Sequence, residues 1–206
     1  MQQQIVIIDY GMGNLNSVKK KLARLNINAT ITSDSKIIEL ADKIILPGVG
    51  HFAMAMSKLK TLNLIGVLNH DVLIKKKPVL GICLGMQLMA KHSEEGNIEG
   101  LNWFDANVVR FNISDKLKYK VPHTGWNQIE INKQSALMKN IPNLAEFYFV
   151  HSYHIKTNNP NDNLNETEFE YKFVSAIEKE NMFGVQYHPE KSHDAGELLL
   201  NNFINL

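Results

Sequence analysis

Apolar and polar residues along this chain follow two rhythms in turn. Gln4 to Asp9 (QIVIID) is a short, nearly unbroken apolar run, the pattern of a strand covered on both faces. Asn14 to Asn26 then sets Leu15, Val18, Leu22 and Leu25 on one helical stripe, with Lys19, Lys20, Lys21 and Arg24 mostly outside it. Asn28 to Ser33 predicts a second strand. Lys43 to Leu46 (KIIL) predicts a third, stopped by Pro47-Gly48. Phe52 to Leu59 and Leu62 to Ile74 read as helices, Pro78 to Cys83 (PVLGIC) as a fourth strand, and Leu84 to His92 as a helix after it. Strands alternating with helices predict a mostly parallel, doubly wound α/β sheet flanked by helices.

The second half changes character. Ala106 to Phe111, Trp126 to Ile131, Phe147 to Tyr153, Phe173 to Ile177 and Met182 to Tyr187 all read as strands with little helix between them. They predict a mixed or antiparallel extension of the same sheet. Thr157 to Glu168, rich in Asn, Asp and Pro, reads as a loop. A last helix, about Ala195 to Ile204, turns Leu198, Leu199 and Phe203 to the core. With no repeat, long charge run or linker, residues 1–206 read as a single domain.

Composition narrows the function classes. Lys plus Arg number 22 against 21 Asp plus Glu, a net charge of +1, so no electrostatic footprint for nucleic acid or an anionic membrane is present. The start Met1-Gln2-Gln3-Gln4 lacks a basic cluster, and no apolar stretch is long enough to span a bilayer. One cysteine cannot form an intrachain disulfide, which suits a reducing, cytoplasmic setting. Gly11-Met12-Gly13 follows a strand, but the third glycine of a dinucleotide fingerprint would fall at Asn16. His151 and His154, three apart on a strand, would point to opposite faces, so no metal site and no cofactor are expected.

The chemistry lies around the single cysteine. Gly81-Ile82-Cys83-Leu84-Gly85 sits between an apolar strand and a helical pattern, the context of a nucleophile elbow with Cys in place of Ser. Glycines two residues to either side let strand and helix approach each other. A helix N-terminus beside Cys83 favours thiolate, and the N–H of Leu84 would point where an oxyanion forms. Taken alone, a cysteine is more often a small, buried and inert core residue. His188 is the best-placed base, because Glu190 in His188-Pro189-Glu190 can fix its tautomer and stabilise its imidazolium. The loop Pro47-Gly48-Val49-Gly50 offers a second oxyanion donor through the N–H of Val49 or Gly50; otherwise it is a plain turn.

Six stretches together resemble the class I glutamine amidotransferases with a Cys-His-Glu triad, and among them the glutaminase subunits of imidazole glycerol phosphate synthase. They are Asp9-Tyr10-Gly11-Met12-Gly13-Asn14, Pro47-Gly48-Val49-Gly50-His51-Phe52, Gly81 to Gln87, Val121 to Asn127, Phe149-Val150-His151-Ser152-Tyr153, and His188-Pro189-Glu190-Lys191-Ser192. The resemblance implies that Cys83 attacks the side-chain amide of L-glutamine, that Gln87 and Glu95 hold the substrate, and that the backbone around His151, Ser152 and Tyr153 completes the pocket. It implies a partner that receives the ammonia, a synthase or cyclase subunit of (β/α)8-barrel type, with Lys191, Trp126 and the loop Tyr10 to Asn14 near that interface. Trp126 is otherwise a core filler. Thr124, His154 and Asn102-Trp103 depart from the commonest histidine-pathway pattern, which leaves open a paralogue that supplies ammonia for sugar amidination in surface glycans. A thiol peptidase with a similar elbow is a further alternative, against which Gln87 and the His-Pro-Glu segment argue.

Overall fold

The computed structural model of the chain describes residues 3–206; Met1 and Gln2, part of the N-terminal stretch read above, lie outside the described residues. In the first half β1 (Ile5–Ile8), α1 (Leu15–Arg24), β2 (Ala29–Thr32), α2 (Ser35–Leu40), β3 (Lys43–Gly48), α3 (Phe52–Thr61), α4 (Leu64–Asn69), β4 (Val79–Cys83) and α5 (Leu84–Leu88) follow one another. The second half holds β5 (Ala90–Ser93), β6 (Ile98–Glu99), β7 (Phe104–Arg110), β8 (His123–Gln128), β9 (Glu130–Ile131), β10 (Glu146–His151), β11 (Tyr153–Thr157), β12 (Asn163–Phe169), β13 (Tyr171–Lys179), β14 (Met182–Val185) and α6 (His193–Ile204).

The main sheet runs β2-β1-β3-β4-β14-β13-β11-β7-β5-β6, with β12 and β9 attached at β13. From β2 to β14 every pairing is parallel, and from β14 to β7 every pairing is antiparallel. Successive residues of each buried strand serve opposite faces. Val6, Ile8, Ile44 and Leu46 pack with α2 to α5, while Ile5, Ile7, Ile45, Leu80 and Ile82 pack with α1 and α6. The doubly wound reading therefore holds for the parallel half.

Several elements differ from the expectation. β3 does not stop at Leu46 but continues through Pro47 and Gly48, which pair with Ile82 and Cys83. Proline is tolerated because β1 accompanies β3 only as far as Ile45, so no neighbour on that side needs the missing N–H. The helix after Cys83 ends at Leu88 rather than His92. The N–H groups of Leu101, Asn102, Trp103 and Phe104 take the carbonyls of Leu88, Ala90 and Met89 and draw the chain into β5. Thr157 to Glu168 contains β12, whose buried Leu164, Asn165 and Thr167 were masked by polarity. β8 and β10 form a separate two-stranded sheet rather than part of the extension. α2, absent from the sequence reading, is capped by the Asp34 side chain on the Lys36 N–H. Lys21 points inward and pairs with Glu197 at 2.9 Å, tying α1 to α6. No helix among the described residues is long and apolar enough to cross a membrane.

Candidate active site

The carboxyl ends of β3, β4 and β14 lie side by side, the usual place for a ligand crevice in an open α/β sheet. Cys83 occupies the last position of β4 with φ 55° and ψ −113°. A non-glycine residue there is strained, and the turn persists because its surroundings leave no alternative. A methyl on Gly85 would run into the Leu46 carbonyl of β3, and one on Gly81 would lie 2.7 Å from the Met86 nitrogen. The two glycines therefore let α5 press against β3 and β4. α5 has five residues, so its macrodipole is small. Its contribution is the Leu84 N–H, the first of the helix and without an intrahelical partner.

His188 follows β14 in extended conformation, with φ −104° and ψ 93°, as a residue before proline prefers. Its N–H donates to the Tyr148 carbonyl at 2.9 Å, and its own carbonyl accepts from the Ser192 hydroxyl at 2.6 Å. Glu190 reaches it through a 3-10 turn, Pro189–Lys191. The Glu190 carboxylate accepts from Nδ1 at 2.8 Å, with both side chains 2 % exposed. That bond places the proton on Nδ1 and leaves Nε2 without a hydrogen-bond partner among the described residues. Burial pulls the imidazole pKa down. The Cys83 sulfur and the Glu190 carboxylate outweigh burial and hold it above the ordinary histidine value.

A cavity of about 280 Å³ opens over the sulfur. It is lined by Val49, Gly50, Cys83, Leu84, Gln87, Glu95, Pro122, Val150, His151, Ser152 and Tyr153. Every residue expected to bind substrate or donate to an oxyanion thus meets at one hollow, with His188 and Glu190 outside its lining. Larger clefts exist, including one of about 780 Å³ along Ile131 to Lys139, but that one holds neither nucleophile nor base. In the 280 Å³ cavity, Gln87 donates from Nε2 to the Tyr153 carbonyl at 3.0 Å and to Gln186 Oε1 at 2.9 Å. Both of its N–H groups are taken, so Oε1 is what it can offer a ligand. Glu95 accepts the Phe52 N–H at 2.7 Å, which fixes its carboxylate at the start of α3.

His151 and His154 do not face opposite ways. The chain bends at Ser152 between β10 and β11, and both rings pack on Phe111, with centroids 5.1 and 4.8 Å away. His151 Nδ1 donates to the Tyr153 carbonyl at 2.8 Å, so its Nε2 accepts from His123 Nδ1 at 3.1 Å. Burial lowers His123 to about 4 and lowers His151 and His154 as well. Among the expected interface residues, Asn14 and Lys191 are exposed and Trp126 is 44 % exposed, which removes core filling as its role. Trp126 stacks on His193 at 4.8 Å with planes 3° apart, and Lys191 lies over Tyr148 beside it.

Two buried side chains have roles the sequence reading did not give them, Gln186 and Tyr10, the latter expected at the interface loop but fully buried. Tyr10 donates its hydroxyl to the Pro47 carbonyl at 2.8 Å and abuts Gly48. Gln186 sits fully buried beside the sulfur. The available signal was a polar residue inside an otherwise apolar strand, Met182-Phe183-Gly184-Val185-Gln186-Tyr187.

An α/β sheet thus holds a strained cysteine at a strand end beside a histidine fixed by a carboxylate. Residues 6–206 match the model of the glutamine amidotransferase class-I family. The chain is 47% identical over 200 residues to the imidazole glycerol phosphate synthase subunit HisH 2 of Methanococcus maripaludis, covering 97% of this chain and 98% of that one. It is 44% identical over 202 residues to the subunit of the same name from Pseudomonas aeruginosa, covering 98% and 99%. Among solved structures, PurLQS from Thermotoga maritima superposes with a TM-score of 0.72 at 13% identity, over 100% of this chain and 99% of that one; at that identity it speaks to the fold alone. The chain belongs to the class I glutamine amidotransferases and, within them, to the HisH subunits of imidazole glycerol phosphate synthase.

Proposed function

We propose that Cys83, His188 and Glu190 form the catalytic triad by which this chain hydrolyses L-glutamine. The observation that carries this reading is the strained Cys83 at the floor of the cavity, with His188 and its Glu190 partner behind it. The thiolate attacks the side-chain carbonyl carbon, and the oxyanion is met by the N–H of Leu84 and one N–H from Val49 or Gly50. His188 delivers a proton from Nε2 to the departing ammonia, leaving a γ-glutamyl thioester. It then accepts a proton from the water that releases glutamate. Gln87 Oε1 and the Glu95 carboxylate suit the donors of an amino acid, and the backbone of His151, Ser152 and Tyr153 closes the pocket.

Ammonia in neutral water is mostly ammonium, which is not a nucleophile. The product therefore calls for a docked acceptor, a cyclase subunit of (β/α)8-barrel type. The exposed surface at Trp126 and Lys191, with Asn14 at the start of α1, supports this assignment, since exposed aromatic and cationic side chains are frequent interface anchors. One working thiol suits the reducing cytoplasm. A second acceptor is favoured by one observation. Thr124, His154 and Asn102-Trp103 depart from the commonest histidine-pathway pattern, which fits a copy serving another pathway, here ammonia for sugar amidination. The test is glutamate and ammonia release by wild type and Cys83→Ala, each with a histidine-pathway cyclase and with a sugar-amidating synthase. Activity in Cys83→Ala equal to wild type overturns the triad, and the synthase that accelerates hydrolysis identifies the acceptor.

A further inference from the structure

We propose that Gln186 is a catalytic residue of this site, its side-chain N–H donating to the Cys83 sulfur and favouring the anionic form that attacks. The proposal rests on Cys83 being the nucleophile and adds a donor outside both the triad and the oxyanion loop. Parallel pairing puts it there. Val185 lies opposite Ile82, so the next residue of each strand, Gln186 and Cys83, come together. The Gln186 N–H donates to the Ser175 carbonyl at 2.8 Å, which holds the backbone in place. The side chain is fully buried, and its Nε2 stands 3.6 Å from Sγ.

The orientation of the carboxamide follows from its neighbours. The Tyr153 carbonyl can only accept, so Gln87 must present Nε2 to it at 3.0 Å. The same nitrogen faces Gln186 at 2.9 Å, so Gln186 must present Oε1 there. Its Nε2 is then the end that meets the sulfur. A hydrogen bond donated to the charged form of a group favours that form. The groups facing the sulfur from elsewhere leave this function open. His188, backed by Glu190, is the proton carrier. The Tyr10 hydroxyl is committed to Pro47. Glu95 and His151 line the cavity, and the Val150 carbonyl, 4.0 Å away, offers only an acceptor to the thiol. Gln186 is thus the fixed donor that keeps its place while the His188 proton moves. It also links the sulfur to Gln87, so that one chain of carboxamides sets both the nucleophile and the residue offered to the substrate.

Cys83 is the only cysteine in the chain, so its reactivity is read without interference. Iodoacetamide converts the thiolate to a thioether with loss of iodide, and mass spectrometry follows the rate from pH 5.5 to 9.5 in wild type, Gln186→Met and isosteric Gln186→Glu. Both variants are expected to alkylate about tenfold more slowly at neutral pH and to reach the wild-type rate at alkaline pH. The fall in kcat for glutamine should be of similar size, with KM little changed. A purely structural role leaves the pH profile in place, and wild-type profiles in both variants overturn the proposal. A measurement on the unmutated site stands beside these. The Gln186 side-chain amide protons should shift in the NMR spectrum as pH crosses the alkylation midpoint, and the shift should vanish in Cys83→Ala. Identical titrations in wild type and Cys83→Ala also overturn it. Alkylation needs no glutamine, so glutamine hydrolysis surviving in Cys83→Ala refutes the nucleophile itself, separately from Gln186.

Discussion

Gly85 and Gly66 carry the same side chain, a hydrogen atom, for opposite reasons. At Gly85 a methyl would meet the Leu46 carbonyl, which belongs to a central strand and cannot step aside. At Gly66, exposed in α4, nothing lies within 4 Å. Gly85→Ala is expected to cost about 3 kcal/mol or more, whereas Gly66→Ala should gain about 0.5–1 kcal/mol through helix propensity and a less free unfolded chain. Urea titration of the two variants checks both signs. Glu190 is a sharper probe of chemistry. Glu190→Gln keeps the shape but can present a donor to Nδ1, which favours the wrong tautomer. The expected loss is on the order of 10³-fold in kcat with little change in KM, read by glutamate release with a synthase present. Cys83 and His188 were legible in the sequence because strand, turn and helix signals bracket them. Gln186 and Tyr10 were not, because their partners lie 103 and 37 residues away along the chain and a lone buried polar residue has no local signature.

Lys43 shows how one side chain joins two elements. It opens β3, is 3 % exposed, and its ammonium donates to the carbonyls of Phe203 at 3.2 Å, Ile204 at 2.6 Å and Leu206 at 2.9 Å. Those are C-terminal carbonyls of the kind a helix leaves unpaired, so β3 caps α6. Burial lowers the lysine pKa, and the neighbouring Asp42 opposes that. Lys43→Met keeps the volume and removes the cap. The expected cost is about 2–4 kcal/mol, from carbonyls left without a donor, and hydrogen exchange should rise first in the last turn of α6. Equal protection of that turn in both proteins would refute the capping role. Elements of this half were legible because apolar periodicity is local. The short α5 was not, because a distant segment, Leu101 to Phe104, decides where that helix ends. Nor was β12, because Asn165 is buried by donating to the Tyr187 hydroxyl at 2.9 Å and so breaks the apolar pattern of a strand.

Across the whole molecule Cys83 and His188 hang from the parallel half, while Pro122 and Val150 to Tyr153 bring the other half to the cavity wall. A chain of histidines joins that wall to its surroundings. The Asn127 amide donates to His123 Nε2 at 3.2 Å, His123 donates to His151, and His151 donates to the Tyr153 carbonyl that also holds Gln87. The chain works only with both rings neutral, since a protonated ring has no acceptor nitrogen. Burial enforces this by lowering His123 to about 4, His151 well below its ordinary value and His154 below it as well, although the Ile155 carbonyl and Glu94 oppose the shift at His154. The unfolded chain therefore binds more protons than the folded one below pH 6.5, and stability falls as pH drops from 6.5 towards 4. Each such histidine contributes a slope of about 1.4 kcal/mol per pH unit inside its window. His188 is shifted the other way, so it adds no slope once the unfolded ring is also protonated, well below pH 6.5, and it costs stability as pH rises above 6.5. Urea unfolding between pH 8 and pH 4.5 should show stability falling by about 1.4 kcal/mol per pH unit as pH rises above about 7, where only folded His188 keeps its proton, and declining again towards acid with the uptake of two to three protons. His123→Phe should make that decline shallower by about one proton while leaving it present, since His151 and His154 remain. A wild-type stability that stays level down to pH 5 would mean that these rings take up protons without unfolding the wall of the cavity.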